Sequence, residues 1–272
     1  MSGGWLACEG VGQIAQDRAV AGRPIKTEAV VLRSLRYGEA DRILHLYTPR
    51  RGRIGAIAKG VRRARSRFGG RLEPFFRLQL DLHEGRGELL TVTGAETIEA
   101  YPHLRADVSA LDAAARACDA VARLFETGEP HPSVFNLLCR RLALLDERPR
   151  AVTRADALAF RMKLLLAAGL APQLGACVYC DERRELVGFS GAAGGVVCVT
   201  CRQVRDRSAS FALEPDAHRF MTDALGLPLA NAPQAGESAL AQVERAISET
   251  LEHHAHVRLM PAAGKVAYVA VG

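Results

Sequence analysis

The chain has 272 residues, of which 49% are hydrophobic and 24% are charged. This length suffices for two ordinary domains, and the composition excludes intrinsic disorder as the main state. The net charge of +6 weakly favours an acidic partner such as nucleic acid. No apolar run is long enough to span a bilayer, and the first 23 residues lack the pattern of a secretory signal. We therefore expect a cytoplasmic protein with reduced cysteines.

The first third of the chain reads as a glycine-rich extension followed by short strands. Residues 1–24 have no clear periodicity, and we expect a flexible extension there. Residues 25–103 alternate polar and apolar side chains in five segments, which begin near Thr27, Asp41, Arg53, Phe75 and Glu88. Glycine-rich turns separate several of these segments. Five short antiparallel strands predict a small closed barrel of the OB-fold type.

Positive charge is concentrated in one part of the predicted barrel. Between residues 33 and 71 there are twelve basic and two acidic residues, which gives a net charge of +10. Arginine dominates this set, and its planar guanidinium suits bidentate contact with phosphate. The alternative is a basic loop that is only exposed to solvent. Positive charges this close together repel one another, however, unless a polyanion is present. We therefore predict a DNA-binding surface formed by Arg42, Arg51, Arg53, Lys59, Arg62, Arg63, Arg65, Arg67 and Arg71.

Aromatic side chains that could stack on bases are few in this region. Tyr37, Tyr47 and Phe68 are the candidates, whereas Phe75 and Phe76 are expected to lie in the core. Proteins that grip single strands tightly add such stacking to their phosphate contacts. We therefore expect little preference for base sequence.

From about residue 104 the period changes to that of helices. Helices are predicted over 107–126, 132–145, 153–168 and 237–256, with another that begins at Glu214. Thr153 has the side chain of an N-cap, with Asp156 in the first turn. The predicted fold is therefore a multidomain α+β protein, in which residues 104–272 form a helical domain with an insert at about 175–207.

Two CxxC pairs lie in this insert and are separated by 17 residues. Cys177 and Cys180 form the first pair, and Cys198 and Cys201 form the second. This spacing is typical of a zinc ribbon or knuckle, in which four thiolates surround one tetrahedral ion. Four protein ligands leave no open position, so one structural Zn²⁺ per chain is predicted. Redox CxxC motifs or disulfides remain an alternative. The separate Cys118 and Cys139 are expected to be inert core residues.

No motif for catalysis is recognised. The chain lacks a phosphate-binding GxxxxGK[ST] loop and the spacing of a nucleophile elbow. The histidines 253, 254 and 256 lack a clear metal-binding partner and are expected at a solvated helix end. Three classes of function were compared: a DNA-annealing mediator, a metal-dependent nucleic-acid enzyme, and a zinc-stabilised scaffold. The closed four-thiolate site disfavours the enzyme, and the arginine cluster disfavours the scaffold.

Several short blocks in the barrel region resemble a known family. They include Ala29-Val-Val-Leu-Arg, Tyr37-Gly-Glu-Ala-Asp-Arg-Ile, Ala58-Lys-Gly-Val-Arg-Arg and Leu72-Glu-Pro-Phe, in that order. With the helices and the paired CxxC motifs, they resemble the DNA repair protein RecO family over residues 26–258. The extension before residue 26 and the tail 257–272 depart from this pattern.

The resemblance implies an OB-fold followed by a helical domain with a zinc site, and a protein without catalytic activity. It implies binding of single- and double-stranded DNA and annealing of complementary strands, in a nucleoid-associated cytoplasmic protein. It also implies partnership with RecR and single-stranded-DNA-binding protein, and indirectly with RecF and RecA. With these partners the protein would help to load RecA onto coated single strands. The alternative within this family is a zinc-stabilised scaffold without intrinsic annealing activity.

Overall fold

The structure is a computed structural model, and it describes residues 24–63, 66, 68–85, 87–125, 128–204 and 209–262. The predicted extension up to residue 23, the loop residues Arg65 and Arg67, and the tail from residue 263 lie outside the described residues. Within the described ranges, no helix combines the length and the apolar character needed to cross a membrane.

Five strands form the barrel, and the predicted OB-fold is confirmed. They are β1 (Pro24–Tyr37), β2 (Asp41–Thr48), β3 (Gly52–Ala58), β4 (Arg77–His83) and β5 (Leu90–Glu99). Their order is β1-β2-β3-β5-β4, closed into a ring. All neighbours are antiparallel except β3 and β5, which pair in parallel at two positions. This five-stranded closure is the OB-fold arrangement.

The barrel interior follows the alternation read from the sequence. In β2, Leu44 and Leu46 are fully buried, whereas Ile43 and His45 are half-buried. The alternation predicts the fifth strand over residues 88–93, whereas strand β5 extends to Glu99. Its second half, from Glu96 to Glu99, is exposed. Alternation cannot reveal a strand that buries neither face, so the sequence underestimated its length.

The long connection between β3 and β4 caps one end of the barrel. Phe68 and Leu72 lie in this connection, and both belong to the barrel's core with 1% of their surface exposed. The connection is also fixed at its start, because the Arg62 N–H donates to the Ala40 carbonyl at 2.9 Å. Burial of the two apolar side chains holds the basic connection against the barrel.

Seven α-helices lie after the barrel in the described part of the chain. They are α1 (Pro102–Ala106), α2 (Val108–Leu124), α3 (Pro132–Glu147), α4 (Arg154–Ala167), α5 (Val199–Val204), α6 (Pro215–Gly226) and α7 (Glu237–His254). The predicted cap of α4 is present as a capping box between Thr153 and Asp156. Helix α3 ends two residues later than predicted and α7 two residues earlier, which is the usual uncertainty at helix ends. The short helices α1 and α5 were not predicted.

The cysteine insert and the segment directly after it form a small sheet that the sequence did not reveal. Its strands are β6 (Leu186–Ser190), β7 (Gly195–Cys198) and β8 (Phe211–Ala212), in the order β7-β6-β8. Phe189, Val196 and Phe211 join the core of the helical domain. The insert therefore shares a hydrophobic core with the helices.

Some glycines of the insert are required by close packing and not only by turn geometry. Gly191 and Gly194 both lie in the turn between β6 and β7, where Gly194 has a φ of +77°. At Gly191, however, a Cβ atom would lie 2.4 Å from the Cβ of Glu249 in α7, and at Gly195 it would lie 2.3 Å from the Gln173 carbonyl oxygen. These two glycines permit close packing of the insert, because no larger residue fits there.

The barrel and the helices also share a core. Val30, Leu32 and Tyr47 lie on β1 and β2 but pack with the helical core rather than the barrel interior. Tyr47 meets Phe125, which follows α2, edge to face with ring centroids 6.4 Å apart. Strands β1 and β2 therefore contribute side chains to two separate cores.

Candidate metal centre and nucleic-acid interface

The four cysteines of the two CxxC pairs converge in the structure. The Sγ atoms of Cys177, Cys180, Cys198 and Cys201 all lie within 4.8 Å of one another. The Cys180 and Cys198 sulfurs are 3.6 Å apart, close to the separation of about 3.8 Å that a tetrahedral Zn–S distance of about 2.3 Å gives. This separation is far longer than the bond of about 2.05 Å in a disulfide. All four are free thiols, and their arrangement does not support the disulfide alternative.

The surroundings of Cys177 favour its thiolate, whereas a side-chain hydrogen bond with Cys180 raises the pKa of Cys201 to about 12. Burial alone would raise the pKa of the Cys177 thiol, but backbone hydrogen bonds involving Cys198, Tyr179 and Cys180 lower it to about 6. The Cys201 N–H also donates to the Cys198 sulfur at 3.4 Å. Thiolates are the form that binds a soft divalent cation, and such backbone donors stabilise them. The residues therefore fit a four-coordinate metal ion, which would have a structural role.

Five of the predicted DNA-binding residues lie at the same end of the barrel. We call them the barrel-end cluster: Arg42, Lys59, Arg62, Arg63 and Arg71. Lys59 directly follows β3, and the Gly60 N–H donates to the Asp41 carboxylate at 2.8 Å, so the connection starts beside the β1–β2 turn. Lys59, Arg62, Arg63 and Arg71 are exposed. The cluster thus presents several cations on one surface.

An ion pair of Arg42 relates Arg71 to the same end of the barrel. The Arg42 guanidinium lies 3.0 Å from the Glu73 carboxylate, and Arg71 precedes Glu73 by two residues. Arg36 is a further basic residue that sequence reasoning did not assign to the surface. It is exposed and is the register partner of Arg42 across β1 and β2. The hairpin turn between these strands was the signal that could have identified it.

Arg51 lies at the opposite end of the barrel. It sits in the β2–β3 turn and pairs with Glu84 at 3.3 Å, where both side chains are partly exposed. Strand β3 separates Arg51 from Lys59 by roughly 26 Å at about 3.3 Å per residue. Arg51 is therefore not part of the barrel-end cluster.

Arg53 connects the barrel to the helices. Its Nη1 donates to the carbonyl oxygen of Ala122 in the last turn of α2 at 2.8 Å. Cations are favoured at this end of a helix, where the backbone carbonyls lack partners. Burial lowers the pKa of His45, and the guanidinium groups of Arg33 and Arg53 lower it further.

We expect replacement of Arg53 with methionine to affect stability more than DNA binding. The variant removes a charged donor and leaves the Ala122 carbonyl without that partner, which should lower the free energy of unfolding by about 1–3 kcal/mol. Chemical denaturation measures this loss, and the salt dependence of DNA binding should stay the same. A lower salt slope with unchanged stability would instead assign Arg53 to the DNA surface.

The structure corrects two of the three aromatic candidates for stacking. Tyr47 and Phe68 have 0% and 1% of their surface exposed, because Tyr47 packs on the helical core and Phe68 caps the barrel. Neither is accessible to a base. Tyr37 is 53% exposed and stands at the end of β1, next to the barrel-end cluster. Phe75 is buried as predicted, whereas Phe76 is only partly buried and lies under Arg105.

The remaining candidates behave as structural residues. Cys118 is buried, and burial raises the pKa of its thiol; Cys139 is only partly buried, and its pKa rises to about 11, again mainly because of burial. Neither thiol belongs to the metal cluster. His254, predicted at a solvated helix end, has a hydrogen-bonded contact of 2.9 Å between its Nε2 and the Gly191 carbonyl. It therefore joins α7 to the insert.

Comparison with known proteins gives the same family for both halves of the chain. The family model described as Recombination protein O N terminal matches residues 23–101, and that described as Recombination protein O C terminal matches residues 105–260. The chain belongs to the RecO family. The N-terminal match covers the barrel, and the C-terminal match covers the helices together with the cysteine insert.

Individual relatives of the RecO family match most of the chain. The DNA repair protein RecO of Rubrobacter xylanophilus is 39% identical over 81% of this chain and 89% of its own length. The DNA repair protein RecO of Anaeromyxobacter dehalogenans strain 2CP-C is 34% identical over 86% of this chain and 93% of its own length. The DNA repair protein RecO of Bifidobacterium longum strain DJO10A is 41% identical over 64% of this chain and 72% of its own length. The resemblance inferred from the sequence blocks is thereby confirmed.

Proposed function

We propose that this RecO-family chain is a DNA repair and recombination mediator that binds and anneals DNA without catalysing a covalent reaction. The observation that carries the proposal is the barrel-end cluster, in which Lys59, Arg62, Arg63 and Arg71 are exposed at one end of an OB-fold. Guanidinium and ammonium groups contact phosphate oxygens and leave the pairing edges of bases free. A strand held in this way can still meet its complement.

The binding energy in this proposal comes mainly from counterion release. Each phosphate that a cation neutralises releases condensed ions from the DNA, so affinity falls steeply as salt rises. The supply of stacking residues is limited, because Tyr37 is the only exposed one of the three aromatic candidates. Weak stacking favours low sequence preference and tolerance of duplex DNA, since every sequence has the same backbone. These properties suit annealing better than tight protection of single strands.

The metal centre supports this function indirectly. A zinc ion bound by Cys177, Cys180, Cys198 and Cys201 would have four protein ligands and no position for a reacting water. Its contribution is to fold the insert, whose strands share the core of the helical domain. We therefore propose one structural Zn²⁺ per chain.

The partners proposed for the chain come from its family membership. We propose that it acts with RecR and single-stranded-DNA-binding protein to help load RecA onto coated single strands, with RecF as an indirect partner. Single- and double-stranded DNA are its proposed nucleic-acid ligands.

Annealing of labelled complementary oligonucleotides tests the proposal. We expect accelerated annealing with and without magnesium and no cleavage of either strand. If the five residues of the barrel-end cluster and the loop residues Arg65 and Arg67 each neutralise one phosphate, the logarithm of the binding constant for single strands should fall with the logarithm of salt concentration with a slope of about −5. Magnesium-dependent cleavage would favour an enzyme, and binding that does not weaken with salt would contradict the proposed interface. DNA binding without annealing would favour the scaffold.

A further inference from the structure

A cavity of about 240 Å³ lies in the helical domain and has no part in the function proposed above. It is bounded by α3, by the start of α4 and by the short helical turn Leu229–Asn231. None of its lining residues belongs to the barrel-end cluster or to the metal centre. Leu144, Leu145, Val152, Leu229, Ala230 and Ala232 form the apolar part of its wall, but polar atoms make up the larger part of its exposed surface.

One charged side chain in the cavity wall is buried without a partner. Arg141 has 4% of its surface exposed. Its Nε has no hydrogen-bond partner, and no ion pair to its guanidinium is found among the described residues. Burial lowers its pKa to about 10 despite the field of Asp156, so the group remains a cation at neutral pH. An unpaired buried cation is strongly unfavourable, which is why such groups are normally paired.

The nearest carboxylate, that of Asp156, attracts the Arg141 cation, but no ion pair joins the two groups within the described residues. Asp156 also lines the cavity, but its carboxylate accepts hydrogen bonds from the Thr153 N–H at 3.2 Å and from the Thr153 hydroxyl at 2.7 Å. Arg148 adds a second positive charge to the wall and donates to the Ala230 carbonyl at 3.5 Å. Two cations and one capped carboxylate leave the cavity with a net charge of +1.

A buried water molecule does not explain this arrangement. Arg141 also borders a void of about 10 Å³ on its other side, which is near the smallest volume that holds one water. Such a water could accept a hydrogen bond from Nε, but it would not neutralise the charge. The larger cavity offers space for an anion against the same guanidinium.

We propose that this cavity binds a small organic carboxylate with a short branched or linear apolar chain. The carboxylate would pair with the planar guanidinium of Arg141, for which it has the matching geometry. The apolar chain would lie against the leucine and valine walls. The volume is smaller than that of pockets for drug-sized ligands, which limits the ligand to a few heavy atoms beyond the carboxylate. Inorganic phosphate would leave the apolar part of the wall without a contact and should bind less well.

Thermal unfolding of the full chain with 3-methylbutanoate tests the proposal. At ten times its dissociation constant, the ligand should raise the melting temperature of wild type by about 3–6 °C. The neutral 3-methylbutanamide should give no shift, and inorganic phosphate a smaller one. Absence of a saturable shift with 3-methylbutanoate, or equal shifts with the amide, would overturn the proposal.

Two variants test whether the rise in melting temperature depends on the buried guanidinium of Arg141. Arg141→Met should abolish the shift, and without ligand it should melt at the same or a higher temperature, because an unpaired buried charge is removed. Arg140→Met is the matched control: Arg140 is the adjacent, exposed residue that pairs with Glu147 at 3.0 Å, and its variant should keep the full shift. Equal shifts in wild type and Arg141→Met would overturn the proposal.

A second measurement covers the case in which Arg141→Met fails to fold. The guanidinium Nε–H signal of Arg141 in the wild-type protein should move with 3-methylbutanoate and saturate at the concentration found from melting. An unmoved signal at saturating ligand would overturn the assignment to Arg141.

Discussion

Replacement of Arg62, Arg63, Arg65 and Arg67 with alanine is expected to abolish strand annealing while the fold survives. Arg62 and Arg63 are exposed, and the connection that carries them is held by the buried Phe68 and by the hydrogen bond from the Arg62 N–H, which alanine retains. For Arg62 and Arg63, the variant therefore removes charge without removing core packing. Four lost phosphate contacts should weaken binding of single strands on the order of 100-fold at low salt.

The salt dependence separates this effect from a general loss of structure. Without four contacts, the slope of the log–log salt plot should become shallower by about 3 units for single strands. The matched control is Arg50→Ala with Arg51→Ala, which removes two arginines from the opposite end of the barrel and only an exposed ion pair with Glu84. This control should anneal nearly as wild type does. Unchanged DNA affinity in the fourfold variant would refute the assignment of the connection as the DNA surface.

Loss of the metal ion is expected to destabilise the whole helical domain. Replacing Cys177 with serine removes one of four ligands from a buried position next to Val197 and Cys198. Structural zinc contributes its binding free energy to folding, about 10–16 kcal/mol in zinc-finger peptides at pH 7. Because the insert shares a core with the helices, the variant should lose at least about 3 kcal/mol of unfolding free energy. A strong chelator should have the same effect on wild type.

Metal content and unfolding should change together. Elemental analysis should give one equivalent of zinc for wild type and much less for the Cys177→Ser variant, and denaturation should show the loss of stability. Cys139→Ser is the control, because this thiol lies on α3 outside the cluster and should leave the zinc content unchanged. A Cys177→Ser protein that keeps one equivalent of zinc and full stability would refute the assigned ligands.

The sequence predicted those parts of the molecule in which one local pattern determines the structure. Alternation in β2 predicted which side chains enter the barrel, and the spacing of the CxxC pairs predicted that four sulfurs meet. The capping box of α4 was readable because Thr153 and Asp156 are three residues apart. In each case the interacting residues are close in sequence or have a recognised spacing.

The sequence could not predict contacts between distant elements. Arg53 looked like the other arginines of its segment, yet it bonds to a helix 69 residues further along the chain. Phe68 stands in a basic loop, so nothing local indicates that it enters the barrel core. The short strands of the insert could not be predicted for the same reason. They depend on close packing at Gly191 and Gly195, which only the folded structure reveals.

The double role of β1 and β2 has a consequence for attempts to isolate the barrel. Val30, Leu32 and Tyr47 are buried in the core of the helices and not in the core of the barrel. A fragment truncated after residue 103 would expose this contiguous apolar face to water, and such faces promote self-association. DNA binding by the truncated fragment would then report on aggregates, so the barrel is best studied in the full-length chain.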